Sequence, residues 1–194
     1  MEYAHTMTVL IGLDPGARDT GIVAVYPDGT IDGRTVHNDG PLLPLSRPYM
    51  LAVGDVIEEL CQNAGGDYTL RVETVVRPNW HVAKAAGGGS ASNPEALLGT
   101  AQLLGAIIGW YECEIVRPGK HGSKPMGYYP EQLVSDGERR REGWEGRVGT
   151  GKLRHQRSAY DIALTEPKER KSTAPAPQGR FSAAYDVQMG LSHE

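Results

Sequence analysis

Cysteine is scarce in this chain: Cys61 and Cys113 are its only two. Two isolated cysteines make neither a disulfide framework nor a paired metal-binding motif. Both lie in apolar stretches, where buried free thiols are expected and where a reducing cytoplasm suits them. Long apolar runs are missing as well. None approaches the roughly 20 residues that a membrane span needs, so no membrane partner is expected. The opening MEYAHTM lacks a basic segment followed by an apolar core, so no secretory signal is expected either. Positive charge is not in excess: 20 basic against 24 acidic residues give a net charge of −4. That argues against coating nucleic acid through bulk charge, but leaves room for a local basic groove.

What is present is the ordinary make-up of one globular domain, 39% hydrophobic and 23% charged over 194 residues. The run 8–14 is rich in Val, Leu and Ile and reads as a buried strand. Residues 20–26 and 30–37 read as two further strands, joined by the turn signal Pro27-Asp28-Gly29-Thr30. Helical spacing of Met50, Val53, Ile57 and Leu60 predicts a helix over about 47–66, stopped by Gly65 and Gly66. Residues 68–76 predict a fourth strand and 77–92 a glycine-rich loop. Asn93 as N-cap and Pro94 in the first turn predict a helix to Trp110, with Leu97, Ala101, Leu104 and Ile108 as its apolar stripe. A short strand at 113–118, a short helix from Pro130 and a helix at 152–166 complete the domain. The expected organisation is an extension at 1–7, a domain at 8–166, and a C-terminal linker at 167–194 with room for a short helix. Three strands followed by strand–helix alternation imply a mixed five-stranded sheet flanked by helices, the order of an α/β ribonuclease H-like fold.

A charged residue closing a buried strand is costly without a partner. Asp14 ends the first strand, Glu73 lies in the fourth, and Asp161 sits on the last helix. Each alone has a plain structural reading: a turn former, a solvent-facing strand residue, a surface helix residue. Together, on three elements in this order, they suit one divalent-cation site. Mg²⁺ prefers hard oxygen ligands and commonly binds through a few carboxylates plus phosphate oxygens. Two such ions about 3.5–4 Å apart clamp the attacking water and the leaving oxygen of a phosphodiester. Carboxylates crowded without a cation raise one another's pKa.

The stretch IGLDPGARDTGIVAV resembles the opening of the RuvC-like Holliday-junction resolvases. RVETVV, NPEALLGTAQLLGAIIGW and RSAYDIAL resemble their second acidic motif, the helix after it, and their last motif. The likeness spans about residues 8–166, and the compact loops are more like those of phage-encoded members. The resemblance implies a homodimeric endodeoxyribonuclease dependent on Mg²⁺ (or Mn²⁺), two ions per site, nicking branched DNA at four-way junctions. It maps Asp14, Glu73 and Asp161 onto the acidic ligands. The family's further Asp or His, three residues before the last Asp, is Ser158 in this chain. His155 lies six residues before Asp161 and is expected to be turned well round the helix. Ser158, His155 and Asp186 all remain open as contributors, with His155 or Ser158 holding a water or phosphate.

DNA would be held by basic loops around this site. Arg77 and Lys84 are candidate phosphate contacts on the loop after Glu73, with Trp80 as a stacking or wedging side chain. Lys120 and Lys124 form a second basic loop, and Arg154 and Arg157 share a helix face with Asp161. Two other readings keep the same fold. One is a nuclease for flaps, forks or RNA. The other is an inactive nucleic-acid-binding module, favoured by Ser158. An actin-like or sugar-kinase ATPase also follows its first strand with Asp-x-Gly, but needs two such domains.

Overall fold

The computed structural model describes residues 8–75, 93–117, 129–140 and 151–165. Strands β1 (Val9–Asp14), β2 (Asp19–Val25) and β3 (Ile31–His37) form an antiparallel meander. After helix α1 (Arg47–Asn63), β4 (Tyr68–Glu73) returns parallel to β1. Helix α2 (Pro94–Trp110) leads to β5 (Glu114–Val116), which lies parallel to β4. A 3₁₀ turn (Glu131–Leu133), a short helix α3 (Asp136–Arg139) and helix α4 (Arg154–Leu164) follow. The strand order is β3-β2-β1-β4-β5. An antiparallel meander on one side of β1 and parallel strands on the other make this the expected ribonuclease H-like α/β fold.

Local chemistry accounts for the element ends. Ser46 caps α1, its hydroxyl accepting from the Tyr49 amide, and Asn93 caps α2 by accepting from the Glu95 amide at 3.0 Å. Gly65 and Gly66 take φ of 67° and 90°, the left-handed region in which a helix can turn off without a Cβ clash.

Alternation along the strands divides the sheet into two faces. Ile11, Leu13, Ile22, Ala24, Leu70 and Val72 point one way, into a core closed by Val53, Ile57 and Leu60 of α1 and Leu103, Leu104 and Ile107 of α2. Each such fully buried side chain contributes about 1.5–3 kcal/mol relative to exposure. The buried edge of α2 is therefore Gly99, Leu103, Leu104 and Ile107. This corrects the expected stripe: Leu104 is buried, but Ala101 and Ile108 lie on the solvent side of the helix. Cys61 and Cys113 are half-buried free thiols whose pKa is raised by burial.

The opposite face carries Gly12, Asp14, Gly21, Val23, Arg71 and Glu73, and α4 lies across it. The approach is close: a Cβ on Gly12 would meet the backbone of Ala159 and Ala163, and one on Gly21 the carbonyl of His155. Arg71 joins the layers by donating to the Ala163 carbonyl at 2.7 Å. The second, smaller core, with Val23, Tyr129, Leu133, Val134 and Ala159, binds the 129–140 segment to this side.

Candidate functional site

Asp14 and Glu73 end adjacent parallel strands, one step beyond the last register pair, Leu13 and Val72. Both alternate onto the α4 face, so their side chains must meet. The Glu73 carboxyl lies close enough to Asp14 for the two to interact electrostatically. Burial first, then the neighbouring Asp14 charge, push its pKa from 4.5 up to about 7. The site thus concentrates negative charge where water does not screen it well.

The turn after Asp14 is tied down from several elements. Tyr49 of α1 donates to the Gly16 carbonyl at 2.6 Å and lies 2.7 Å from the Thr20 hydroxyl. The Ala17 amide donates to the hydroxyl of Thr100 on α2 at 3.1 Å, and Asn38 donates to the Ala17 carbonyl at 2.8 Å. Asn38 and Thr20 are fully buried, so these bonds fix the backbone that presents Asp14.

Helix α4 supplies the next group. His155, Ala159 and Ala163, spaced by four, form the edge seated on Gly21 and Gly12. That edge carries the His155 ring to the carboxylate pair, with Nδ1 3.0 Å from Asp14 Oδ2. His155 is turned well round the helix from Asp161, as expected, and it is His155 that reaches Asp14. Ser158, half-buried, follows at three residues along the same side of α4.

Asp161 is placed differently from the expectation. Six residues beyond His155, it lies about 9 Å further along the axis and about 120° away in rotation. It is 5% exposed, and its Oδ2 accepts from the Tyr129 hydroxyl at 2.7 Å. Asp14, Glu73 and Asp161 do not form one metal-holding group, and it is His155 that lies against Asp14. Among the described residues, no group of three or more His, Cys, Asp or Glu side chains is gathered closely enough to hold a metal ion by itself.

Arg157 also departs from its expected role as a DNA contact. It is 3% exposed and donates to the Leu133 carbonyl at 2.8 Å. Its fork engages both oxygens of Glu138, at 2.8 and 3.1 Å. The Glu138 carboxyl, helped also by the Ser135 amide and hydroxyl, is held down at about 2, from 4.5. Arg157 therefore pins the 129–140 segment to α4 and has no free fork for a phosphate. Arg154 remains exposed beside the site. Arg77, Trp80, Lys84, Lys120, Lys124 and Asp186 lie outside the described residues.

Sequence reasoning missed Asp19 and His37. They face each other in the β2–β3 register, with His37 Nδ1 2.6 Å from Asp19 Oδ1. The other Asp19 oxygen lies 3.8 Å from both Arg154 Nη2 and His155 Nε2. The strand pairing carried that signal, because positions 19 and 37 flank the meander symmetrically.

No protein-family profile matches the chain, and no curated protein matches it. Among solved structures it is similar to T. thermophilus RuvC in complex with a Holliday junction substrate. The sequences are 16% identical, the match covers 80% of this chain and 90% of that one, and the TM-score is 0.45. Among the described residues, no helix is long and apolar enough to cross a membrane.

Proposed function

We propose that the protein is a divalent-metal-dependent endodeoxyribonuclease that cuts branched DNA, with four-way junctions as its substrate class. The observation that carries this reading is the Asp14–Glu73 pair: two carboxylates in contact at the ends of adjacent strands, with Glu73 driven to about 7. A fold does not keep such a pair for stability, since each charge disfavours the other. A divalent cation removes the conflict, and the donors fit one: hard carboxylate oxygens with an imidazole at their flank suit Mg²⁺ or Mn²⁺. Asp14 and Glu73, with His155 beside them, are the residues that would hold it. When bound, the cation would supply positive charge to the scissile phosphate and acidify a water. The chain's own part is orientation. Tyr49, Thr100 and Asn38 fix the Asp14 turn, the sheet register fixes Glu73 against it, and His155 holds one Asp14 oxygen.

The junction as substrate is supported by the motif resemblance of residues 8–166. A homodimer belongs to the same reading. On α2 the exposed residues Leu98, Ala101, Gly105 and Ile108 recur at spacings of three and four, with Leu98 55% and Ile108 50% exposed. A Cβ on Gly105 meets nothing, so a second helix has room to approach. The inactive-module reading is favoured by one observation, that only two carboxylates come together among the described residues.

Cleavage of labelled four-way junction, flap, fork and linear duplex in Mg²⁺ tests the proposal. Symmetric nicking of the junction is expected, and equal cutting of linear duplex would refute the substrate assignment. Asp14→Asn is expected to bind the junction in Ca²⁺ and to cut at least 100-fold more slowly. Normal cutting by that variant would remove Asp14 from the site, and tight binding without cutting by the unaltered protein would establish the inactive module.

A further inference from the structure

We infer that Asp19, backed by His37, is a positioning residue that sets the orientation of His155 at the carboxylate pair. The inference rests on the nuclease reading for its consequence, but its structural content stands apart from it. The His155 ring is held at both nitrogens. Nδ1 faces Asp14 at 3.0 Å. Nε2 faces the Asp19 carboxylate at 3.8 Å and accepts from Arg154 Nε at 2.9 Å. Arg154 is itself drawn toward Asp19, its Nη2 3.8 Å from the same oxygen. Asp19 thus gathers Arg154 and His155 with one oxygen and His37 with the other.

The placement is imposed by the fold. Asp19 opens β2 and alternates with Gly21 and Val23 onto the face that α4 covers. Gly21 seats the His155 backbone directly above that strand. Cross-strand pairing sets His37 opposite Asp19, and Asp39 lies 3.4 Å from the far nitrogen of the His37 ring. The carboxylate is only 22% exposed, whereas His37 is 54% exposed, so Asp19 faces inward and His37 covers it from the solvent side.

Ion pairs this open contribute little to stability. Their effect is geometric. A donor fixed against one ring nitrogen sets the tautomer and direction of the imidazole, and disturbing such a support typically costs 10–100-fold in metal affinity or activity. Without Asp19, Arg154 loses its anchor, and the outer nitrogen of His155 loses the guanidinium donor held against it.

The test uses the full chain. In metal-free protein with ¹⁵N-labelled histidine, the His155 ring signals (assigned with His155→Gln) report tautomer and hydrogen bonding directly. Asp19→Asn, which keeps the shape and removes the charge, is expected to shift the His155 and His37 ring nitrogens and leave the other histidines unmoved. His37→Gln is expected to shift His155 by less in the same direction. Calorimetric titration with Mn²⁺ is expected to show binding weakened about 10–100-fold in Asp19→Asn. Unmoved His155 signals in Asp19→Asn, or unaltered Mn²⁺ affinity alongside moved signals, would overturn the proposal. If the unaltered protein cuts no DNA, the nuclease reading fails, while the ring signals still decide whether Asp19 positions His155.

Discussion

Replacing Glu73 by Gln should make the metal-free protein more stable and the enzyme inactive. Glu73 is raised from 4.5 to about 7, so the folded chain holds its proton more tightly than the unfolded chain does. Between those values the native state binds more protons, and stability falls as pH rises. A shift of this size corresponds to roughly 3 kcal/mol at 1.36 kcal/mol per unit, fully present below about pH 4.5 and lost by about pH 8. Glu73→Gln removes the ionising group and keeps the shape and a hydrogen-bond donor for Asp14. Urea unfolding in EDTA is therefore expected to show the variant about as stable as the unaltered protein near pH 4.5. Near pH 8 it should be more stable by up to roughly 3 kcal/mol, or about 6–12 °C in Tm. Millimolar Mg²⁺ should narrow the gap at pH 8 by stabilising only the protein that keeps both carboxylates. Equal stabilisation at both pH values, or destabilisation at pH 8, would refute the account of the pair as a strained, cation-seeking site.

Other outcomes follow from neighbouring features. Arg157→Ala removes a buried charge whose partners stay behind, so chemical denaturation should show a loss of about 3–5 kcal/mol; junction affinity measured where the variant is folded should change little. The Arg157–Glu138 pair should also make stability fall as pH drops from about 4.5 toward 2, because the folded Glu138 keeps its charge to about 2. Acid unfolding followed by circular dichroism checks this, and Glu138→Gln should flatten that limb. Leu98→Asp combined with Ile108→Asp places charges on the exposed stripe of α2, and sedimentation equilibrium should show a shift from dimer to monomer.

Much of the fold could be read from local patterns. The Val-Leu-Ile run of β1, the Pro-Asp-Gly turn, the Asn93 cap and the paired glycines after α1 each state their own geometry. Asp14 and Glu73 were legible because strand alternation and parallel order bring two strand-end carboxylates to one face. The last helix misled for a physical reason. The Asp161 motif suggested the site, but the edge of α4 that touches the sheet is decided by small residues. Ala159 and Ala163 sit on Gly12, and the His155 backbone sits on Gly21. His155 shares their edge, whereas Asp161 is about 200° away from Ala159 in rotation. Reading the helix for what it packs against, rather than for its charged residues, selects His155. The burial of Arg157 was not legible, because its partner Glu138 is 19 residues away and reaches it only through the tertiary placement of the 129–140 segment. Likewise the apolar residues of α2 gave no sign of which side would be covered, since nearly its whole circumference is apolar or small.

The seating of α4 on Gly12 and Gly21 has a consequence for how this protein tolerates change. The reactive groups stand on strands and a helix whose spacing is set by bare backbone. Swapping an acid or an imidazole alters the chemistry in place, whereas a single added methyl at either glycine lifts the entire helix and separates groups that are individually intact. Saturation mutagenesis should therefore find the least permissive positions among residues that perform no chemistry at all.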